Sequence, residues 1–263
     1  MLKLEHPQVV GWEHAIRGMR NPMNSWDKSD SEFITTDGDH HDICGNSGPW
    51  YGSDGWPETL IGEQDLDLMK RLRNAGTDHR KFMRMIAVYA DITAPLYWWK
   101  EFDTYKVGTV ANSCSTMHKI AAKEFALEDF SYEHLIDDDD EIHNDTEHVA
   151  CSSGFIVKKI MLDTLNHYRQ KYLETDAKIK TTISGGEKVR LMDKQKKYWW
   201  QMIQLLPSSY NQKRTVMLNY EVLANIHKGR RNHKLDEWHT FCDWIEELPY
   251  SEIITGYEEE KNE

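Results

Sequence analysis

The chain has 263 residues, 39% apolar, 29% charged and 11% aromatic, and carries a formal charge of −12. A chain of this length buries about 70–75% of its unfolded surface, which excludes a peptide dependent on disulfide or metal staples. Its ten Trp, twelve Tyr and seven Phe exclude a disordered chain. A net acidic surface repels phosphodiester polymers, so no nucleic acid polymer is expected as a partner, whereas a small phosphorylated ligand needs only a few local cations.

The first residues, MLKLEHPQVVGWEH, have neither a secretory apolar region nor a transit composition, so a cytoplasmic protein is expected. No apolar run approaches the roughly 18 residues of a membrane helix, and no membrane partner is expected. Cys44, Cys114, Cys151 and Cys242 are widely spaced without a C-x-x-C pair, which reads as free thiols in a reducing compartment.

In chain order, residues 1–61 read as an irregular N-terminal extension. Within them, residues 20–60 are rich in Asp, Gly, Ser, Asn and Pro, the composition of a long loop. A helix is predicted over 63–75, with Leu66, Met69 and Leu72 on one stripe and Gly76 as its stop. Residues 82–92 suit a buried strand, and Ala94-Pro95 opens a helix to about Lys106. A second helical stretch covers about 114–125, and residues 136–148 form an acidic connection. Helices follow from Gly154 for about 20 residues, over 187–206, over 219–228 and over 235–248, with a short strand at 215–218. Residues 251–263 read as an acidic tail. The fold class is α/β (α+β): a helix-rich single domain with a central mixed sheet. No G-x-G-x-x-G or G-x-x-x-x-G-K-[ST] loop is present.

Three constellations carry chemistry. In residues 94–118, Lys100, Asp103 or Thr104, and Tyr105 or Lys106 project polar groups about one helical turn apart, and a small, hydroxyl-rich stretch follows. Exposed amides beside a lysine suit an anionic phosphate, although the segment also suits an aromatic helix packed into a core. In residues 206–238, Asn219, Asn225, Arg230 and His233 combine amides, a guanidinium and an imidazole. Such groups recognise a flat heterocycle and a phosphate, and the KGRR run also complements a helix dipole. His40, His41, Asp42 and Cys44, and separately His143, Asp145, Glu147, His148 and Cys151, are metal-binding residue types. Neither set has an H-E-x-x-H or paired C-x-x-C frame, so no metal site is expected.

The first two segments resemble, in order and spacing, the flavin-dependent thymidylate synthases (ThyX). Ala94-Pro95 matches the opening of that family's core motif, Lys100-Glu101 stands at its Arg-Gln positions and Thr104-Tyr105-Lys106 at its Arg-His-Arg positions. Thr109 replaces a Ser, Asn112 and Ser115 fit the next step, and Met117 stands where Arg is usual. Leu206-Pro207, Asn219, Asn225 and Arg230 keep the family spacing, with His233 and Trp238 close behind, and Gly76, His79 and Phe82 resemble an upstream element. The resemblance covers roughly residues 65–245.

It implies a catalytic domain over 62–250 that assembles as a homotetramer with active sites between subunits. It further implies FAD-dependent methylation of dUMP to dTMP, with methylenetetrahydrofolate as carbon donor and NADPH as reductant. By the same carry-over Arg230 is the catalytic residue, binding the pyrimidine and favouring its anionic form. Lys100, Glu101, Thr104 and Ser115 bind the substrate, Ser115 cradling its phosphate. Asn219, Asn225 and His233 hold the flavin and Lys106 its phosphates, with Arg80, Lys81 and Arg84 as candidate compensating cations. Each guanidinium absent from the Arg-His-Arg positions removes a contact worth about 1.5–3 kcal/mol. That leaves room for a non-catalytic or altered-specificity nucleotide-binding protein on the same fold.

Overall fold

The structure, a computed structural model, describes residues 1–34, 40–41, 47–48, 59–135 and 154–256. Its elements are β1 (Lys3–Val10), α1 (Trp12–Arg20), β2 (Glu32–Ile34), β3 (His40–His41), β4 (Ser47–Gly48), β5 (Thr59–Leu60) and α2 (Glu63–Asn74). Then come β6 (Ala87–Pro95), α3 (Leu96–Phe102), β7 (Val110–Ser113), α4 (Thr116–Lys119), α5 (Gly154–Thr181) and α6 (Gly185–Leu205). The last are β8 (Asn211–Asn219), α7 (Tyr220–Arg230), α8 (Asp236–Glu246) and α9 (Glu252–Thr255). One sheet has the strand order β1-β6-β8-β7 and a smaller antiparallel sheet the order β4-β3-β2-β5. The class is α+β. No helix among the described residues is long and apolar enough to cross a membrane.

The chain forms two compact units. The hairpin unit comprises Met1, Thr93–Glu101 and Ser113–Arg214. Ile120, Phe125, Phe130, Leu165 and Met202 form its core, and Tyr168, Tyr172 and Trp199 pack against them. On α5 Leu165 is fully buried and Tyr168 and Tyr172 pack against the core, while Ile160 on the same stripe is exposed. Asn166 anchors the segment before α5 by bonding both backbone groups of Phe125, each at 2.9 Å. Ser184 caps α6 through the Glu187 amide.

The second unit comprises Leu2–Ile92, Phe102–Asn112 and Thr215–Glu263. Trp12, Ile16, Met69, Phe82, Met83, Tyr220, Leu223, Trp238, Phe241 and Ile245 are buried in it. Asp65, fully buried, accepts from Arg20 Nε at 2.6 Å and from the hydroxyls of Ser29 and Ser31 at 2.6 and 2.7 Å. That carboxylate carries the partners a buried charge requires.

Several expectations change. Residues 1–34 are not irregular throughout: β1 and α1 form there, and α1 buries Trp12, Ala15, Ile16 and Met19 on one helical stripe. Residues 80–85 form a 3-10 helix before β6, not the start of the strand. The helix after Pro95 stops at Phe102, where the chain turns so that the Tyr105 amide donates to the Phe102 carbonyl at 3.0 Å. The helix expected over 114–125 is the single turn of α4, and β8 begins four residues earlier than expected. In the acidic tail, α9 buries Ile253 and Ile254. The acidic connection 136–148 lies outside the described residues.

Candidate functional site

The second unit contains Thr104, Lys106, Arg80, Asn219, Asn225, Arg230 and His233, and the hairpin unit contains Lys100, Glu101 and Ser115. Each group is described in turn.

In the second unit, α7 opens with Asn219 as its N-cap. The Asn219 side chain accepts from the Val222 amide at 3.0 Å, supplying an acceptor to an otherwise orphaned donor. Its amide nitrogen faces the Gly108 carbonyl at 3.5 Å. Gly108 has φ +81°, and a Cβ there would stand 2.7 Å from that nitrogen. Only glycine fits this crossing of the 102–112 segment over α7.

At the other end of α7, Arg230 Nε donates to the Tyr105 hydroxyl at 3.0 Å. The guanidinium carbon lies 4.9 Å from the centre of the fully buried Trp238 ring and 5.6 Å from that of Tyr105. Tyr105 and Trp238 themselves meet edge to face at 6.2 Å. The result is a cation held on aromatic faces, a contact worth about 0.5–2 kcal/mol depending on desolvation. His233 follows in the turn after α7, its amide donating to the Arg230 carbonyl at 3.0 Å. His233 Nδ1 accepts from the Leu235 amide at 3.2 Å, which assigns the proton of the neutral ring to Nε2. Its carbonyl is bonded by His239 Nε2 at 2.6 Å.

Other expected contacts are committed elsewhere. Arg80 Nε pairs with Glu221 at 3.2 Å, and Arg84 bonds the same carboxylate. The Arg84 hydrogen bond holds the Glu221 carboxyl below the usual carboxylate range. Arg80 is therefore tied to the first turn of α7 and not presented as a compensating cation. Asn225 and Lys106 are exposed; Thr104 is exposed in the turn after α3.

In the hairpin unit, Lys100 is exposed and Glu101 half-buried at the end of α3. Ser115 caps α4, accepting from the His118 amide at 3.1 Å and sharing a hydrogen with His118 Nδ1 at 2.8 Å. A cavity of about 120 Å³ adjoins it, lined by Ser115, Thr116, Lys119, Lys123, Asp129 and Gln212 among others. Lys123 bonds Asp129 there. Beside it, Arg214 covers the Trp99 ring at 4.1 Å.

Sequence reasoning missed the Tyr105–Arg230 bond, which joins residues 125 positions apart, and the Glu221 partner of Arg80. Each pairing involves residue types that spacing alone cannot link. His40 and His41 form β3, and the remaining residues of both His/Cys/acidic sets lie outside the described residues. Among the described residues no three His, Cys, Asp or Glu converge as metal ligands.

No family model matches the chain, and no curated protein matches it by sequence. Solved structures do match by shape. Thymidylate Synthase X (ThyX) from Helicobacter pylori, with FAD and dUMP, aligns over 96% of this chain and 96% of its own at 13% identity, TM-score 0.54. A second structure of the H. pylori enzyme with the same two molecules covers 95% and 96%, with the same identity and score. The UMP/dUMP methylase PolB from Streptomyces cacaoi, bound with 5-Br dUMP, aligns over 97% and 94% at 11% identity, TM-score 0.51. At these identities the likeness is one of fold, and the chain has the helix-rich α+β fold of these nucleotide methylases.

Proposed function

We propose that the chain is a flavin-dependent methyltransferase acting on a uridine nucleotide, converting dUMP to dTMP with methylenetetrahydrofolate and NADPH. One observation carries this: a guanidinium fixed on Trp238 and Tyr105 at the exit of α7, in a fold shared with structures that hold dUMP or its 5-bromo analogue.

Arg230 is the group that meets the pyrimidine. A fixed guanidinium beside a uracil favours the anionic ring, and carbon 5 of that ring is then the nucleophile. A preorganised cation does this without reorganising when charge develops. Ser115, with Lys100, Glu101 and Thr104, is assigned to the substrate.

Asn225 and Lys106 are exposed, an amide suited to ring heteroatoms and an ammonium suited to a diphosphate, and these two fit FAD. Bound flavin supplies the hydride that reduces the transferred one-carbon unit. The protein supplies orientation and charge, and no side-chain nucleophile is required.

The commitment of Arg80 to Glu221 and of Asn219 to its capping role favours a second reading, a nucleotide-binding protein of altered specificity that holds no flavin. Freshly purified protein separates the two. Absorbance near 450 nm, FAD released on denaturation and rescue of a thymidine auxotroph support the methyltransferase. Colourless protein that binds dUMP without rescue supports the second reading, and protein that binds neither overturns both. Self-association as a homotetramer belongs to the same proposal and is read from the molar mass in solution.

A further inference from the structure

We propose that Tyr105 is the positioning residue for Arg230. This rests on the assignment of Arg230 to the nucleotide base. The Tyr105 hydroxyl accepts the Arg230 Nε hydrogen at 3.0 Å. That bond, with the indole of Trp238 beneath the guanidinium carbon at 4.9 Å, contributes to setting the plane in which the guanidinium lies. An arginine side chain otherwise has many rotamers to lose on binding.

Tyr105 is itself fixed from several directions. Its amide closes a turn onto the Phe102 carbonyl at 3.0 Å, and Phe102 is anchored edge to face on Phe241 at 6.1 Å. Three residues on, Gly108 holds φ +81° against the Asn219 side chain, where a Cβ would stand 2.7 Å from the amide nitrogen. Its ring edge meets Trp238, which is fully buried. The phenol oxygen is therefore a stationary acceptor, and the arginine is the movable partner. At the position where the resembling family carries an imidazole between two guanidiniums, this chain holds, in the turn after α3, a phenol that bonds a guanidinium from α7.

Tyr105→Phe keeps the ring and removes only the acceptor. The full chain, Tyr105→Phe, Arg230→Lys and the double variant are titrated with dUMP by calorimetry. Losing one hydrogen bond to a charged group raises the Kd of Tyr105→Phe by about tenfold to a hundredfold. In the Arg230→Lys background, which has no Nε hydrogen, Tyr105→Phe changes the Kd by less than about twofold, because coupled residues are not additive. Losses that multiply across the two sites overturn the proposal, since a merely structural role weakens both backgrounds alike. A second readout needs no ligand: the Arg230 Nε–H resonance in nitrogen-15 spectra exchanges slowly in the parent chain and rapidly in Tyr105→Phe. Identical exchange in the two chains overturns the proposal. A parent chain that binds no dUMP overturns the function proposed above, and the exchange measurement then decides the Tyr105–Arg230 link by itself.

Discussion

A guanidinium resting on a buried indole gives up little freedom when it takes a ligand, so on the proposed assignment Arg230 is expected to contribute more to binding than to folding. Two charge-assisted hydrogen bonds, at about 1.5–3 kcal/mol each, make the dUMP Kd of Arg230→Ala at least a hundredfold weaker. Its far-ultraviolet spectrum is expected to match that of the parent chain, and unchanged dUMP binding removes Arg230 from the site. Glu221 behaves in the opposite way, being paired with Arg84 and Arg80 inside the fold. Its folded carboxyl titrates below the unfolded one, the hydrogen bond from Arg84 being the largest cause. Such a group stabilises the fold fully above its unfolded pKa, and this contribution is lost as pH falls through the folded value. Glu221→Gln is therefore less stable than the parent at pH 7, and the difference narrows below about pH 4.5. Melting curves at pH 7, 5 and 3 check the sign; a difference that widens in acid contradicts it. Cysteine reactivity tests burial directly. Burial pushes the Cys242 thiol up to about 11 and Cys114 is exposed, so iodoacetamide at pH 7.5 modifies Cys114 and spares Cys242, as read by peptide mass mapping.

At the scale of elements, what was legible followed from periodicity and stop signals. Pro207 after α6 and Pro249 after α8 bound those helices close to where the sequence marks them, whereas α6 opens at Gly185, two residues before the expected start, so that Gly185 and Gly186 belong to the helix. The stripe Trp12, Ala15, Ile16, Met19 on α1 was equally present, but was overlooked because a Gly/Asp/Ser-rich stretch follows it. The polar half of β8 was hidden for a physical reason. Asn211–Arg214 lacks apolar alternation, and its side chains work by hydrogen bonding and ring stacking: Gln212 donates to the Cys114 carbonyl at 3.1 Å, and Arg214 covers Trp99. The candidate site was legible as residue types in order along α7. It was not legible as partners, because the Asn219 cap, the Arg80–Glu221 pair and the Tyr105–Arg230 bond depend on which elements meet. Asn219 separates a capping role from a flavin contact. Asn219→Ala loses about 1 kcal/mol of stability, and up to about 2. Asn219→Asp retains the acceptor for the Val222 amide and recovers most of that loss. Equal destabilisation by both substitutions shows that the amide donor facing Gly108, and not the cap, carries the effect.

At the scale of the whole molecule, the two units have separate apolar cores, one around Leu165 and Met202 and one around Trp238 and Phe241. The second unit holds Arg230 and Thr104, and the hairpin unit holds Ser115, Lys100 and Glu101. A ligand that binds only the native state stabilises it by about 2.7 kcal/mol at a hundred times its Kd. For a chain of this size each kcal/mol raises the melting temperature by about 2–4 °C, so saturating dUMP is expected to add about 5–10 °C. Each proposed contact is tested by itself: Arg230→Ala diminishes the dUMP shift if Arg230 meets the base, and Ser115→Ala diminishes it if Ser115 meets the phosphate. Inorganic phosphate, which has no base, then gives a small shift that Ser115→Ala abolishes and Arg230→Ala leaves intact. Scanning calorimetry of the parent and both variants, with dUMP and with phosphate, measures all of this. A dUMP shift that survives Arg230→Ala at full size removes the base contact, and a phosphate shift that ignores Ser115→Ala moves the phosphate away from α4. In both outcomes the −12 net charge keeps the background low, because an acidic chain has little general affinity for anions.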